Sequence, residues 1–257
     1  MSGIDVLTDT RRNRPLFGID VAVLAGGLGS RLRTVLGDDL PKILAPVGKR
    51  VFLDIVVDWL TGYGAARLIL CLGHHGAKVA NRAARRQDQG LEIIPLIEPM
   101  PMGTGGALRF ATPYFRSDPV LVLNGDSWTS ADLSQFLAEH RAKNSFISML
   151  CVRVPNAARY GSVELADDGT IARFLEKAPS PSPGLINAGV YLLSQQALRA
   201  LESSQAQSFE RDFLETAAGG RIRAHVCADA TFIDIGTPES YATAEFALNS
   251  VSPGSDP

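Results

Sequence analysis

Val21-Ala22-Val23-Leu24-Ala25-Gly26-Gly27-Leu28-Gly29-Ser30-Arg31-Leu32-Arg33 decides how the rest of the chain is read. Five apolar residues run into three glycines, and an arginine follows two positions later. The run Val21 to Ala25 predicts a strand buried on both faces, as in a parallel sheet. Glycines after such a strand lack Cβ, so the backbone can turn sharply and approach a ligand closely. Successive N–H groups in such a turn cradle phosphate oxygens. Arg31 adds a fixed charge that can fork onto a phosphate. Leu24, Ala25, Gly26, Gly27, Gly29 and Ser30 are therefore candidate nucleotide-binding positions. There is no Gly-Lys-Ser/Thr ending, so the stretch is not a P-loop, and the third glycine of a dinucleotide fingerprint would fall on Leu32. Taken alone, an ordinary glycine turn after a strand remains the alternative.

Working outward, the 257 residues suit one α/β domain or two small ones. Apolar residues make up 46% of the chain, enough for a sizeable core. A net charge of −2 provides no basic field to collect nucleic acid. Cys71, Cys151 and Cys227 are far apart and odd in number, which favours buried free thiols over disulfides or a zinc site. No apolar run approaches ~20 residues, so no membrane span is expected. The N-terminal segment, with Arg11, Arg12 and Arg14 among polar residues, lacks the apolar core of a secretory signal. A cytoplasmic, reducing setting is expected, with neither nucleic acid nor a membrane as partner.

Residues 1–17 read as an extension and 249–257 as a tail, flanking one domain over 18–248. Val51 to Tyr63, with Phe52, Ile55, Val56 and Trp59 on one face, suits an amphipathic helix. Arg67 to Leu72, Leu91 to Ile97 and Pro119 to Leu123 read as strands. Helices are expected over Gly76 to Arg86, from Gly103 to Phe110, and over Ala131 to His140. This alternation predicts an α/β fold, a doubly wound, mostly parallel sheet with right-handed crossovers. Ligands in such sheets lie outside the carboxyl ends of the strands. The glycine loop, Gly73-His74-His75, Glu98 and Asp126 all fall at such ends. From about residue 141 the chain turns β-rich, with strands at Ser145 to Arg153, Gly161 to Leu165, Ile171 to Leu175 and Leu185 to Leu193. Short helices are expected at Ala197 to Ser203 and Glu210 to Ala217, and strands near Ile222 to Val226 and Thr231 to Asp234. A closing helix, Pro238 to Leu248, has proline first and Thr237 as its cap. This half reads as a smaller β-rich part packed on the nucleotide half.

The glycine-loop residues Ala25 to Leu32, then Leu40-Pro41-Lys42, then Asn124-Gly125-Asp126 together resemble the sugar-1-phosphate nucleotidyltransferases. That family's signature is Gly-Gly-x-Gly-Ser/Thr-Arg-Leu followed by Pro-Lys. The resemblance runs from about Ile19 to Ala247, with separated motifs in the family's order. It implies attack of a sugar 1-phosphate oxygen on the α-phosphate of a nucleoside triphosphate, with release of pyrophosphate. The nucleophile is already an anion, so the task is to bring two anions together and neutralise charge. Arg31 and Lys42 are the catalytic cations the resemblance implies. Asp126 and Asp234 are its Mg²⁺ carboxylates, hard oxygen ligands. Asp126 could instead cap the helix beginning near Ser130, and Asp234 could serve the Gly236-Thr237-Pro238 turn.

Further site residues follow from the same resemblance. Glu176 and Lys177 would meet the sugar and its phosphate, or form an exposed strand end. Asn187, with Gly189 on its strand, would bond sugar hydroxyls, or serve a structural hydrogen bond. Asn124 and Gly125 join the nucleotide set. Glu98, in Glu98-Pro99-Met100-Pro101-Met102-Gly103-Thr104, can accept from guanine N1–H and its exocyclic amine, so GTP is favoured. It could also cap the following turn or grip a ribose hydroxyl. Gly103 and Thr104 would let backbone approach the base, and His74 lies near the base unless His74 and His75 form a surface pair.

Within the family the motifs run closest to the bacterial D-glycero-α-D-manno-heptose 1-phosphate guanylyltransferases, with mannose 1-phosphate as the competing sugar. Two departures bear on substrate: Ile43-Leu44 stands where Pro-Met is expected, and a histidine stands where an aromatic residue is expected. A catalytically inactive sugar-nucleotide sensor is the main competing function. A glycosyltransferase on a similar sheet would favour Asp-x-Asp over Asn124-Gly125-Asp126. The sequence leaves a homodimer open.

Overall fold

The structure is a computed structural model, and it describes residues 13–27, 29–86, 90–158, 160–175 and 182–250. The first four long strands are β1 (Asp20–Ala25), β2 (Arg67–Leu72), β3 (Glu92–Ile97) and β4 (Val120–Asn124). Between them come α1 (Phe52–Gly62), α2 (Gly76–Ala84) and α3 (Gly103–Ala111). β1 pairs in parallel with both β2 and β4, and β2 pairs in parallel with β3. The expected doubly wound arrangement is present.

Within β1, Val21 to Ala25 are apolar because the strand is covered on both faces, while Asp20 at its start pairs with Arg67 at 2.7 Å. Val21 and Val23 face one core with Phe52, Leu53, Val56 and Leu60 of α1. Ala22 faces a second core with Leu108 of α3. A strand covered on both faces has no position for a solvated side chain. Each large apolar side chain fully buried this way contributes about 1.5–3 kcal/mol. Leu16, in the segment read as an extension, is also buried in the first core, and its N–H donates to the Tyr63 carbonyl at 2.9 Å.

The second half continues the same sheet. After the short β5 (Ser127–Thr129) and α4 (Leu133–Ala142) come β6 (Ile147–Val154), β7 (Ser162–Leu165), β8 (Ile171–Leu175) and β9 (Gly184–Leu193). α5 (Gln195–Glu202), a π-helix at Phe209–Leu214, β10 (Ile222–Cys227), β11 (Phe232–Asp234) and α6 (Pro238–Ser250) complete the chain. β9 is the joint. It runs antiparallel to β4, to β6 and, at Ile186, to β7. The order across the main path is therefore β8-β7-β9-β4-β1-β2-β3, with β6 and β10 branching from β9. β11 and β5 form a separate two-stranded ladder.

Because β1 to β4 run in parallel, their carboxyl ends share one edge of the sheet. Gly26, Gly73, Glu98 and Gly125-Asp126 directly follow those ends. Four segments distant in sequence thus reach one place by topology alone.

Candidate active site

A cleft of about 450 Å³ opens at that edge. Leu24, Ala25, Gly26, Gly27, Arg31 and Lys42 line it from the first loop and the turn beyond Pro41. Glu98, Gly103 and Thr104 line it from the β3–α3 loop, and Asn124, Gly125 and Asp126 from the end of β4. Most residues singled out in the sequence are therefore brought together.

At one end the chain offers backbone. A Cβ on Gly26 would stand 3.2 Å from the Gly73 nitrogen and 3.6 Å from Glu98 Oε1. A Cβ on Gly73 would stand 2.6 Å from the Gly26 carbonyl oxygen, closer than van der Waals contact allows. Two strand ends touch main chain to main chain here, with a carboxylate against them. Glu98 Oε2 accepts from the Met102 N–H at 3.2 Å, so Glu98 does tie its own turn while it lines the cleft. Burial pushes its carboxyl up, and the Met102 N–H opposes that only in part.

In the middle stand the charges. Lys42 Nζ lies 2.5 Å from Asp126 Oδ2, and Ser127 Oγ donates to Asp126 Oδ1 at 3.2 Å. Burial alone would raise the Asp126 carboxyl, but the Lys42 ammonium and these hydrogen bonds outweigh it and the net shift is downward. The capping alternative for Asp126 is taken by another residue: Asp132 Oδ1 accepts from the Ser134 N–H at 2.8 Å at the start of α4. Asp234 pairs in register with Ser127 across β11 and β5, and the Ile235 N–H donates to the Asp126 carbonyl at 2.9 Å. Burial and then the Asp126 charge push the Asp234 carboxyl up. Asp234 Oδ1 also accepts from the Gly236 N–H at 2.6 Å, so its turn role is real as well. Among the described residues no carboxylate pairs with Arg31, which faces the cleft exposed.

These two carboxylates suit a divalent cation of the hard, oxygen-binding kind. Lys42 already shows that a cation is tolerated on Asp126. Among the described residues no three His, Cys, Asp or Glu side chains converge as a ready-made metal cage. A bound ion would therefore need further oxygens from substrate or water.

Other expected residues stand apart. His74 does not line the cleft; its ring lies tilted by 48° against that of His75, with centroids 3.8 Å apart, and both face a small recess beside residues 37–42. The left-handed backbone at His75 (φ 56°) turns the loop that way, and His75 Nε2 lies 3.3 Å from the Asp38 carbonyl. Gly29 lines the same recess, and Ser30 is exposed at the start of a 3₁₀ turn. Thr104 Oγ1 accepts from the Phe209 N–H at 2.8 Å. Asn187 is engaged within the protein: its Nδ2 donates to the Tyr191 hydroxyl at 2.7 Å, and its Oδ1 accepts from the Gly189 N–H at 2.8 Å. Neither Asn187 nor Gly189 lines the cleft. Glu176 and Lys177 lie outside the described residues.

Residues 21–250 match the nucleotidyl transferase family. The chain belongs to that family. This nucleotidyl transferase is 33% identical over 230 residues to a D-glycero-alpha-D-manno-heptose 1-phosphate guanylyltransferase of Aneurinibacillus thermoaerophilus, covering 90% of this chain and 98% of the relative. It is 31% identical over 225 residues to a mannose-1-phosphate guanylyltransferase of Mycobacterium tuberculosis, covering 87% of this chain and 62% of that protein. Among solved structures it resembles HddC from Yersinia pseudotuberculosis complexed with GMP-PN. That match has a TM-score of 0.78 at 33% identity and covers 90% of this chain and 99% of the other.

Six cleft residues of this nucleotidyl transferase escape sequence reading, four of them apolar (Ile43, Pro101, Ala107 and Phe209) and two carrying a titratable group. Cys71 ends its side chain in the cleft, with its thiol pushed up to about 12 by burial and then by Glu98. Glu210 also lines the cleft, next to Phe209. Cys71 sits in an apolar run and reads as core. Glu210 sits in Phe209-Glu210-Arg211-Asp212, where alternating charge reads as the wet face of a helix. No local pattern marks either.

Proposed function

We propose that the protein is a sugar-1-phosphate guanylyltransferase. It would join GTP and D-glycero-α-D-manno-heptose 1-phosphate to give GDP-heptose and pyrophosphate. The observation that carries this reading is the convergence of Arg31, Lys42 and Asp126 with the glycine loop in one cleft that Glu98 closes at the base end. The names borne by the Aneurinibacillus and Yersinia relatives support the heptose and the guanine nucleotide.

Each residue has work that follows from its chemistry. The loop amides after β1 hold triphosphate oxygens. Arg31 and Lys42 offset the charge that builds on the transferring phosphoryl group. Asp126 and Asp234 would hold Mg²⁺, which when bound neutralises phosphate oxygens and orients them for in-line attack. Glu98, held by Met102, presents its other oxygen to the N1–H and exocyclic amine of guanine. Uracil and thymine carry only one ring N–H, so they fit that carboxylate less well. Glu176 and Lys177 are proposed for the sugar phosphate. Asn187 is proposed to act on the sugar end through the residues it bonds.

Mannose 1-phosphate is the second reading, favoured by the Mycobacterium relative's name. The reaction needs neither nucleic acid nor a membrane, and among the described residues no helix is long and apolar enough to cross one. We place it in the cytoplasm. Pyrophosphate release from a panel of triphosphates and sugar 1-phosphates with Mg²⁺ tests the proposal. Turnover is expected with GTP and heptose 1-phosphate above all other pairs. Nucleotide binding without turnover on any pair would replace the enzyme with a sensor.

A further inference from the structure

Glu210, which faces the cleft, is held by three donors on one carboxylate oxygen. Its Oε1 accepts from the Tyr191 hydroxyl at 2.8 Å, from Asn124 Nδ2 at 3.2 Å and from Asn187 Nδ2 at 3.4 Å. Tyr191 is fully buried, and burial and the Glu210 charge together hold its hydroxyl protonated as a donor, well above the usual range. Three donors fill one carboxylate oxygen. Among the described residues no group bonds the other, Oε2, although Glu210 lines the cleft. The residue also sits on a π-helix, Phe209–Leu214, a conformation that places side chains off the ordinary helical register and recurs at functional sites.

Its position along the cleft says what it meets. The strands run β9-β4-β1-β2-β3 across the floor. Glu98 follows β3, while the donors that hold Glu210 come from β4 and β9. The strand ends that carry them lie three to four places apart in the sheet, with the Glu98 side chain reaching back over Gly26 at the end of β1. The glycine loop and Asp126 lie between. A nucleotide with its base at Glu98 and its phosphates at the loop leaves the β4–β9 end to the second substrate.

We propose that Glu210 Oε2 accepts hydroxyl hydrogens of the sugar and so sets which sugar 1-phosphate is used. This rests on the guanylyltransferase reading above. An ionised carboxylate only accepts, so it recognises O–H groups and repels phosphate. The sugar ring is thereby drawn to Glu210 while its phosphate points back toward Lys42 and Arg31. Tyr191, Asn124 and Asn187 are positioning residues: they fix the carboxylate before substrate arrives, which lowers the ordering cost of binding.

Glu210→Gln separates this role from a structural one. Glutamine keeps an oxygen for the three donors and turns an NH₂ toward the cleft, so an acceptor becomes a donor. Kinetics of the full-length enzyme are measured with GTP and heptose 1-phosphate or mannose 1-phosphate, alongside thermal melting. The KM for the sugar 1-phosphate is expected to rise about tenfold to a hundredfold, the loss of a hydrogen bond to a charged acceptor. The KM for GTP is expected to change less than twofold. Wild type should also discriminate against a monodeoxy mannose 1-phosphate that E210Q accepts as well as the parent sugar. Should E210Q melt early, Glu210→Asp keeps the charge but withdraws the oxygens by a methylene, and it should raise the sugar KM alone. A sugar KM unchanged in both variants, or a GTP KM that rises equally, overturns the role of Glu210 while wild-type turnover preserves the activity reading. Wild-type enzyme that binds GTP but turns over no sugar 1-phosphate overturns both.

Discussion

The two ends of the cleft are built on different plans. At the end proposed for the base, main chain does the work: Gly26 and Gly73 bring two strand termini into contact, and one carboxylate, Glu98, lies over them. At the end proposed for the sugar, side chains do it: Glu210 is held by Asn124 of β4 and by Asn187 and Tyr191 of β9. A site made of backbone keeps its shape under most substitutions but punishes any new Cβ. A site made of a side-chain network can be retuned one residue at a time, at some cost in stability.

Between the ends, Asp126→Asn should have the largest effect, because both plans converge on it. We expect kcat to fall by about a thousandfold or more. The melting temperature should move little: the variant loses the Lys42 pair but also relieves the repulsion that raises Asp234. A wild-type rate would remove Asp126 from the chemistry and with it the idea of a shared centre.

Acid should next find a weakness in the half that carries the sugar end. His140 of α4 is buried against Ser148 of β6, with Nδ1 2.8 Å from Ser148 Oγ. Burial, ahead of its neighbours' charges, lowers the imidazole to about 4 from an ordinary value of 6.5. Between those values the unfolded chain binds a proton that the folded chain refuses, so stability rises with pH there and is lost on acidification. From pH 7 to pH 5 the loss should be roughly 2 kcal/mol. Denaturant melts at the two pH values measure it, and His140→Asn should flatten the difference. An unchanged slope in that variant would assign the acid sensitivity elsewhere.

At the base end, Glu98→Gln should weaken GTP use about tenfold and shift relative preference toward a pyrimidine triphosphate. Competition between GTP and UTP reads this directly, and an unaltered preference would show that the carboxylate only ties Met102. At the end proposed for the sugar, Tyr191→Phe should cost about 1.5–3 kcal/mol of stability by removing a buried hydrogen bond to a charged group. It should also raise the sugar KM a fewfold while leaving GTP alone. If it moved the GTP KM instead, the two ends would not be independent.

The same contrast explains what could be read from the residues alone. The glycine loop, Pro41-Lys42, Glu98 and Asn124-Gly125-Asp126 are contiguous, and each follows an apolar strand whose end a parallel sheet must gather. The fold and the gathering of these segments in one cleft were therefore legible. His74 was misplaced because the left-handed turn at His75 depends on the packing of residues 37–42, not on local pattern. Asn187 was read as reaching ligand, but its amide faces inward to Tyr191 and Glu210. The network is invisible along the chain because positions 124, 187, 191 and 210 meet only once β9 runs antiparallel to β4.

β9 carries a consequence for anyone wishing to exchange sugar ends between relatives. It bends at Gly189, where φ is 70° and a Cβ would stand 2.8 Å from Asn124 Nδ2. It also serves as a rail shared by both halves, laddered to β4 on one side and β6 on the other. A chimera cut just after β4 would take that rail from one parent and the β4 it ladders to, with Asn124, from the other. A workable transplant must carry β9 whole, bend included, together with the asparagine it nestles against.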